Sequence, residues 1–78
     1  MNYEIELDIA HSIPLKHTLK TICNKFKVRV VNIMPNGPGG GWPCVLFHGT
    51  EENITSLALD YHQQTEVDEF IKEQITKL

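Results

Sequence analysis

The chain has 78 residues, of which 41% are hydrophobic, and a formal net charge of −3. This length fits a single domain of residues 1–78, and the hydrophobic content excludes a disordered chain. No apolar run is long enough to span a bilayer, and the acids near the N-terminus do not fit a secretory signal, which favours a cytoplasmic protein.

The first part of the chain predicts a strand followed by a helix. Residues 3–9 alternate apolar side chains with Glu4, Glu6 and Asp8, as in a strand with one buried face. Ser12 is the predicted N-cap of the helix that follows. The apolar stripe of this helix consists of Leu15, Leu19, Ile22, Cys23 and Phe26.

Two apolar segments flank a glycine-rich loop. Residues 27–34 are rich in β-branched side chains and predict the second strand. Residues 43–48 are almost uniformly apolar, which is typical of a central strand covered on both faces. The loop before this third strand contains four of the five glycines, so it is neither a helix nor a strand.

Two helices are predicted after the third strand. Thr50 is the expected cap of the first, because Glu51 and Glu52 follow it at the positive end of the helix dipole. Thr65 is the expected cap of the second, with Asp68 three residues later. The apolar stripe of this last helix consists of Val67, Phe70, Ile71, Ile75 and Leu78.

These elements predict an α+β fold, a ferredoxin-like variant with the order βαββαα. A right-handed crossover makes the first two strands parallel, so the third fits between them and runs antiparallel to both. The expected sheet is three-stranded, antiparallel or mixed, with strand order 1-3-2 and the helices on one face. A C-terminal helix replaces the usual fourth strand, so the outer edge of the first strand is open to that helix or to a second copy.

The loop and the residues after it resemble a run found in small uncharacterised bacteriophage and bacterial proteins. The matching residues are Gly37-Pro38-Gly39-Gly40-Gly41-Trp42-Pro43, the strand as far as His48, and Gly49-Thr50-Glu51-Glu52-Asn53. This resemblance implies a small phage-type domain and assigns no activity. The topology is also similar to that of amino-acid-sensing regulatory domains of the ACT type, a likeness of fold alone.

The loop is the predicted binding site, and its candidate residues are Asn36, Gly37, Gly39, Gly40, Gly41 and Trp42. Backbone N–H groups in such a turn can hold a small anion or a nucleotide, although the loop lacks the Lys-Ser/Thr ending of a phosphate-binding P-loop. The other interpretation is a wide connection that needs glycine only for its shape. Trp42 either contacts a partner or folds back onto the core.

The middle of the chain, residues 11–50, carries five basic residues and no acid. The predicted basic patch consists of Lys16, Lys20, Lys27 and Arg29. It would meet an anion or an acidic partner, or form part of an ordinary mixed surface. Weak nucleic-acid binding is a further alternative, although the acidic net charge and the absence of exposed-aromatic strands argue against it.

No grouping of residues predicts catalysis, a metal or a cofactor. Cys23 lies on the apolar stripe of a helix and Cys44 in the central strand, so both are expected to be buried, inert thiols. Cys44 and His48 share a strand face but stand roughly 13 Å apart at about 3.3 Å per residue, too far to share one metal ion.

The sequence therefore predicts a small non-enzymatic protein-interaction module, encoded by a phage, that binds a host protein in the host cytoplasm and inhibits or redirects it. Its small size and open sheet edge also predict a homodimer, formed by pairing first strands or packing terminal helices. The alternatives are a regulatory domain that holds a small anion or nucleotide at the loop, and weak nucleic-acid binding through the basic patch.

Overall fold

The computed structural model describes residues 2–35 and 41–78. Within these two ranges, four strands and three helices follow one another. They are β1 (Tyr3–Asp8), α1 (Leu15–Phe26), β2 (Arg29–Met34), β3 (Cys44–Gly49), α2 (Glu51–His62), α3 (Glu69–Gln74) and β4 (Thr76–Lys77).

The strands form one antiparallel sheet with the order β2-β3-β1-β4. As predicted, β3 lies between β1 and β2 and runs antiparallel to both. Its central position explains its apolar sequence, because Val45 and Phe47 are fully buried. The architecture is α+β and is roughly consistent with a ferredoxin-like arrangement.

The end of the chain differs from the prediction. A C-terminal helix does not replace the fourth strand, because helix α3 ends at Gln74 and β4 then pairs with β1 at Tyr3 and Glu4. The backbone is already extended at Ile75, and the N–H of Leu78 donates to the carbonyl of Asn2 at 3.0 Å. A strand supplies hydrogen bonds to the open backbone groups of β1, which a helix cannot supply. The predicted three-stranded sheet with order 1-3-2 is therefore wrong in strand count and order.

The structure confirms one of the three predicted helix N-caps and contradicts the other two. Thr50 caps α2, since its hydroxyl accepts a hydrogen bond from the N–H of Asn53. Ser12 does not cap α1, whose N-cap is Pro14 and makes no side-chain cap bond. Thr65 does not cap α3, because the carboxylate of Asp68 accepts from the N–H of Ile71 instead.

All three helices contribute to one core on one face of the sheet, as predicted. The buried core residues are Ile5, Leu7, Ile9, Leu19, Val28, Val45, Phe47, Ile54, Leu57, Ala58 and Ile71. By the strand register, Glu4, Glu6 and Asp8 share the opposite, helix-free face with Cys44, Leu46 and His48. The last predicted stripe is only partly buried, because Val67, Phe70 and Leu78 remain exposed.

Candidate functional site

Strand β2 forms one edge of the sheet and has an apolar, exposed sequence. It pairs with β3 on one side, and within residues 2–35 and 41–78 no strand pairs with its other side. Val31, Ile33 and Met34 are 43%, 40% and 37% exposed, and a bulge interrupts the ladder between Val30 and Asn32. Edge strands are usually shielded by lysine, proline, a bulge or covering chain; β2 has the bulge and Arg29 but no lysine or proline. This edge is therefore suited to pairing with another chain.

The other edge of the sheet is better shielded. The outer side of β1 pairs with β4 at Tyr3 and Glu4, and the hydroxyl of Tyr61 donates to the carbonyl of Asp8 at 2.8 Å. The acidic side chains of β1 further discourage edge pairing. Strand β4 already occupies the end of this edge at Tyr3 and Glu4, and the predicted homodimer, by pairing of first strands or packing of terminal helices, stays a prediction.

An apolar groove runs between α1 and β2. Its volume is about 460 Å³. The residues that line it are Leu15, Lys16, Leu19, Lys20 and Cys23 of α1 with Val30 and Ile33 of β2. Because β2 is the last strand on this side, nothing in the described chain covers the outer flank of α1, and Leu15 and Cys23 stay only half-buried. The groove therefore presents apolar side chains beside an unpaired strand.

Trp42 lies just before strand β3 and is exposed. It is 50% exposed, and its ring meets the ring of His11 edge-on with centroids 5.7 Å apart. It comes two residues before Cys44, which pairs with Met34 at the end of β2. Trp42 is thus not buried in the core, and one side of its ring is available for contact.

The rest of the predicted loop site is largely outside the described residues. This applies to Asn36, Gly37, Gly39 and Gly40. Gly41 is described and exposed, and a Cβ built on it would meet no described atom within 4 Å. Nothing in the described surroundings therefore requires glycine at position 41.

The predicted basic residues flank β2 on both of its faces. Lys16 and Lys20 line the groove on the helix side. Arg29 is opposite His48 in the register, which places it on the helix-free face of the sheet. Lys27 lies between α1 and β2, where it ends the helix in a left-handed conformation and its carbonyl accepts from the amide of Asn53. The four residues do not form one continuous patch on a single face.

The helix-free face holds paired polar groups. The ring Nε2 of His48 is 2.8 Å from a carboxylate oxygen of Glu4, and the thiol of Cys44 donates to Glu6 at 3.0 Å. Burial is the main cause that raises the pKa of the Cys44 thiol; together with the hydrogen bond to Glu6 and the charges of Glu6 and Asp8 it raises this pKa from 9.0 to about 12. A thiol with this pKa is protonated at neutral pH and is a poor nucleophile.

A wider cleft lies at the other end of the sheet, between α2, α3 and β4. Its volume is about 880 Å³. Both charge signs line it, with Glu51, Asp68 and Glu69 opposed by Lys72 and Lys77. The carboxylate of Asp68 is already engaged in capping α3, and the pKa of Tyr3 is raised mainly by a hydrogen bond to Glu51. The mixed charges select no single class of ligand.

Two further observations concern the described part of the chain. No three His, Cys, Asp or Glu side chains within residues 2–35 and 41–78 are grouped so that they could hold a metal ion. Each helix in these two ranges is too short and too polar to cross a membrane.

The groove is the feature that reading the sequence misses. Leu15, Leu19 and Cys23 have the spacing of an ordinary core-facing stripe, so the sequence predicts that they are covered. The available signal was β2 itself, because it lacks the lysines and prolines that protect edge strands. Comparisons with protein-family models, curated proteins and solved structures give no match to this chain.

Proposed function

We propose that this chain is a non-enzymatic protein-interaction module that binds another protein along β2 and the groove beside α1. The observation that carries the proposal is the unpaired, apolar edge of β2 next to a groove of about 460 Å³. Hydrogen bonds to exposed backbone donors and acceptors would orient a bound chain along the strand, and the apolar groove would provide hydrophobic contact.

The exposed apolar residues near β2 support an interface at this place. Val31, Ile33 and Met34 follow one another closely in the strand, and Trp42 lies beyond its end. By the strand register, Ile33 lies on the helix side of the sheet and Met34 on the helix-free side, so apolar side chains are exposed on both faces of this edge. Tryptophan and methionine are enriched at protein interfaces.

The contacts between polar groups on the helix-free face support a module that catalyses no reaction. Glu4 and His48 contact each other, and Glu6 accepts the hydrogen bond of the Cys44 thiol. A protonated, buried thiol lacks the activating base that nucleophilic catalysis needs. The resemblance of the loop to small bacteriophage proteins makes a host protein the proposed partner, which would be inhibited or redirected in the cytoplasm.

Affinity capture from a bacterial lysate with three baits tests this function. The baits are the unmodified chain, Ile33→Glu at the groove and Val67→Glu on the far side of the molecule. Val67 is 47% exposed and Ile33 is 40% exposed, so the two substitutions place the same charge at similarly open aliphatic positions. We expect the unmodified chain and Val67→Glu to capture the same proteins and Ile33→Glu to lose them, because a carboxylate in place of an apolar side chain opposes the burial of the groove against a partner.

Thermal unfolding of the three baits is the control, and we expect each surface change to alter the free energy of unfolding by about 0.5 kcal/mol or less. Equal capture by Ile33→Glu and the unmodified chain would contradict the proposal. Loss of capture with Val67→Glu instead would place the interface at α3, and capture of nothing by the unmodified chain would also count against a protein-binding role.

A further inference from the structure

We propose that the segment bound at this site is an extended, acidic stretch of the partner, which adds to the outer edge of β2 as a fifth strand of the sheet. This inference rests on the proposed function and goes further by naming the conformation and charge of what binds. It is carried by the edge position of β2, the alternation of side chains along a strand, and three cations placed around this edge. The N–H of Ile33 donates to the side-chain Oδ1 of Asn32 at 3.0 Å, so an added strand would have to displace that side chain to bond to this N–H.

The length of β2 sets the size of the bound segment. The strand has six residues, which corresponds to about 20 Å of extended chain. Alternate backbone N–H and C=O groups of an edge strand point away from its neighbour and can pair with an added strand. A segment of about six residues would therefore match the available edge.

The groove would receive every second side chain of such a segment. Successive side chains of a strand point to opposite faces of the sheet, so about three of six would lie on the side of α1. There they would contact Leu19 and Ile33 in the groove. Apolar side chains at these alternating positions would remove the exposed apolar surface of the groove from water.

Charge distinguishes an acidic segment from other occupants. Lys16 and Lys20 line the groove on the helix side, and Arg29 lies on the other face of the sheet. None of the described residues that line the groove is acidic. The ion pairs found among the described residues, Lys25–Asp60 and His48–Glu4, leave these three cations to interact with a partner.

A second copy of the chain fits the edge less well. Antiparallel pairing of two β2 strands would bring the Lys16 and Lys20 of both copies to the same face of the joined sheet, where like charges repel. An acidic segment would place opposite charges there instead. The occupant supported by the charges is therefore a foreign strand.

Selection from a displayed library of random twelve-residue peptides tests the composition of the segment. We expect the selected peptides to alternate apolar residues and to contain more Asp and Glu than Lys and Arg. We expect Lys20→Glu to weaken binding of the best peptide at least about tenfold, and Lys72→Glu, a matched change on α3, to leave it unchanged. Selection of basic peptides, or equal binding by the Lys20→Glu variant, would overturn the proposal.

Two N-methylated forms of the best peptide test its conformation. Every second N–H of a strand points to the same edge, so methylation of one alternating set would remove the bonds to β2 and methylation of the other set would not. We expect one form to lose binding and the other to keep it. Loss of binding by both forms would indicate a helix in the groove, and retention by both would indicate side-chain contact alone; either result would overturn strand addition.

These outcomes separate the inference from the proposed function. If Ile33→Glu abolishes capture of the partner but no acidic, alternating peptide binds, the module stands and the extended acidic segment is wrong. If light scattering at micromolar concentration shows a dimer that Ile33→Glu dissociates, a second copy occupies the edge and the inference is again wrong.

Discussion

At the scale of single residues, Cys44 has the most unusual environment. Its thiol is buried, donates to Glu6 at 3.0 Å and lies near the carboxylate of Asp8. These surroundings raise its pKa to about 12, and the pKa values of Tyr3 and Tyr61 are also raised above 10.0. The folded chain therefore holds these protons more tightly than the unfolded chain does.

This difference predicts a loss of stability at alkaline pH. The contribution of Cys44 is fully present below the ordinary thiol pKa of 9.0 and is lost as pH rises from there through about 12. We expect the free energy of unfolding, measured with urea at pH 7.5, 9 and 10.5, to fall between pH 9 and pH 10.5. In Cys44→Ser, which keeps a donor for Glu6 but does not ionise in this range, we expect a smaller fall. Equal falls in the two proteins would contradict the raised pKa of Cys44.

The sequence predicts the burial of Cys44 because the residue lies in a uniformly apolar strand. It does not predict the contacts of Cys44 and His48 with Glu6 and Glu4, which are 38 and 44 residues away along the chain. The alternation of β1 indicates that the acids share a face, but the residues opposite them depend on strand register, which residue patterns leave open.

At the scale of elements, α3 and β4 are the part of the fold that sequence patterns describe least well. The apolar spacing of Val67, Ile71 and Ile75 fits a helix, and the structure is helical only over Glu69–Gln74. Strand β4 has two residues, too few for a recognisable alternation, and exists because the edge of β1 offers it hydrogen bonds. By contrast, Thr50 was predictable because its cap involves only residues next to it in the chain.

The cap of α3 gives a direct test of this element. We expect Asp68→Ala to lower the free energy of unfolding by about 1 kcal/mol, because the N–H of Ile71 loses its acceptor. Asp68→Asn keeps an acceptor oxygen and should cost much less. Thr65→Ala should change stability by about 0.5 kcal/mol or less, since Thr65 is not the cap. Urea unfolding at neutral pH measures all three, and a larger loss for Thr65→Ala than for Asp68→Ala would contradict the cap described here.

At the scale of the whole molecule, the candidate site is a consequence of strand order. The sequence predicts α1 with an apolar stripe and β2 with an apolar face, and the structure contains both. The predicted strand order 1-3-2 already places β2 at an edge, and the structure agrees; the sequence does not predict that the flank of α1 beside this edge stays uncovered by the described chain. The predicted basic residues do not meet on one surface, because Lys16 and Lys20 line the groove on the helix side and Arg29 lies on the helix-free face of β2.

The central claim is that the open edge of β2 receives another chain. Backbone hydrogen exchange, recorded with and without the best selected peptide, tests this claim most directly. We expect exchange at the outward-facing amides of Arg29–Met34 to slow at least about tenfold on binding, with no slowing in α3 or β4. Bound peptide that leaves the β2 amides unchanged, or that slows exchange only at α3 and β4, would contradict the account.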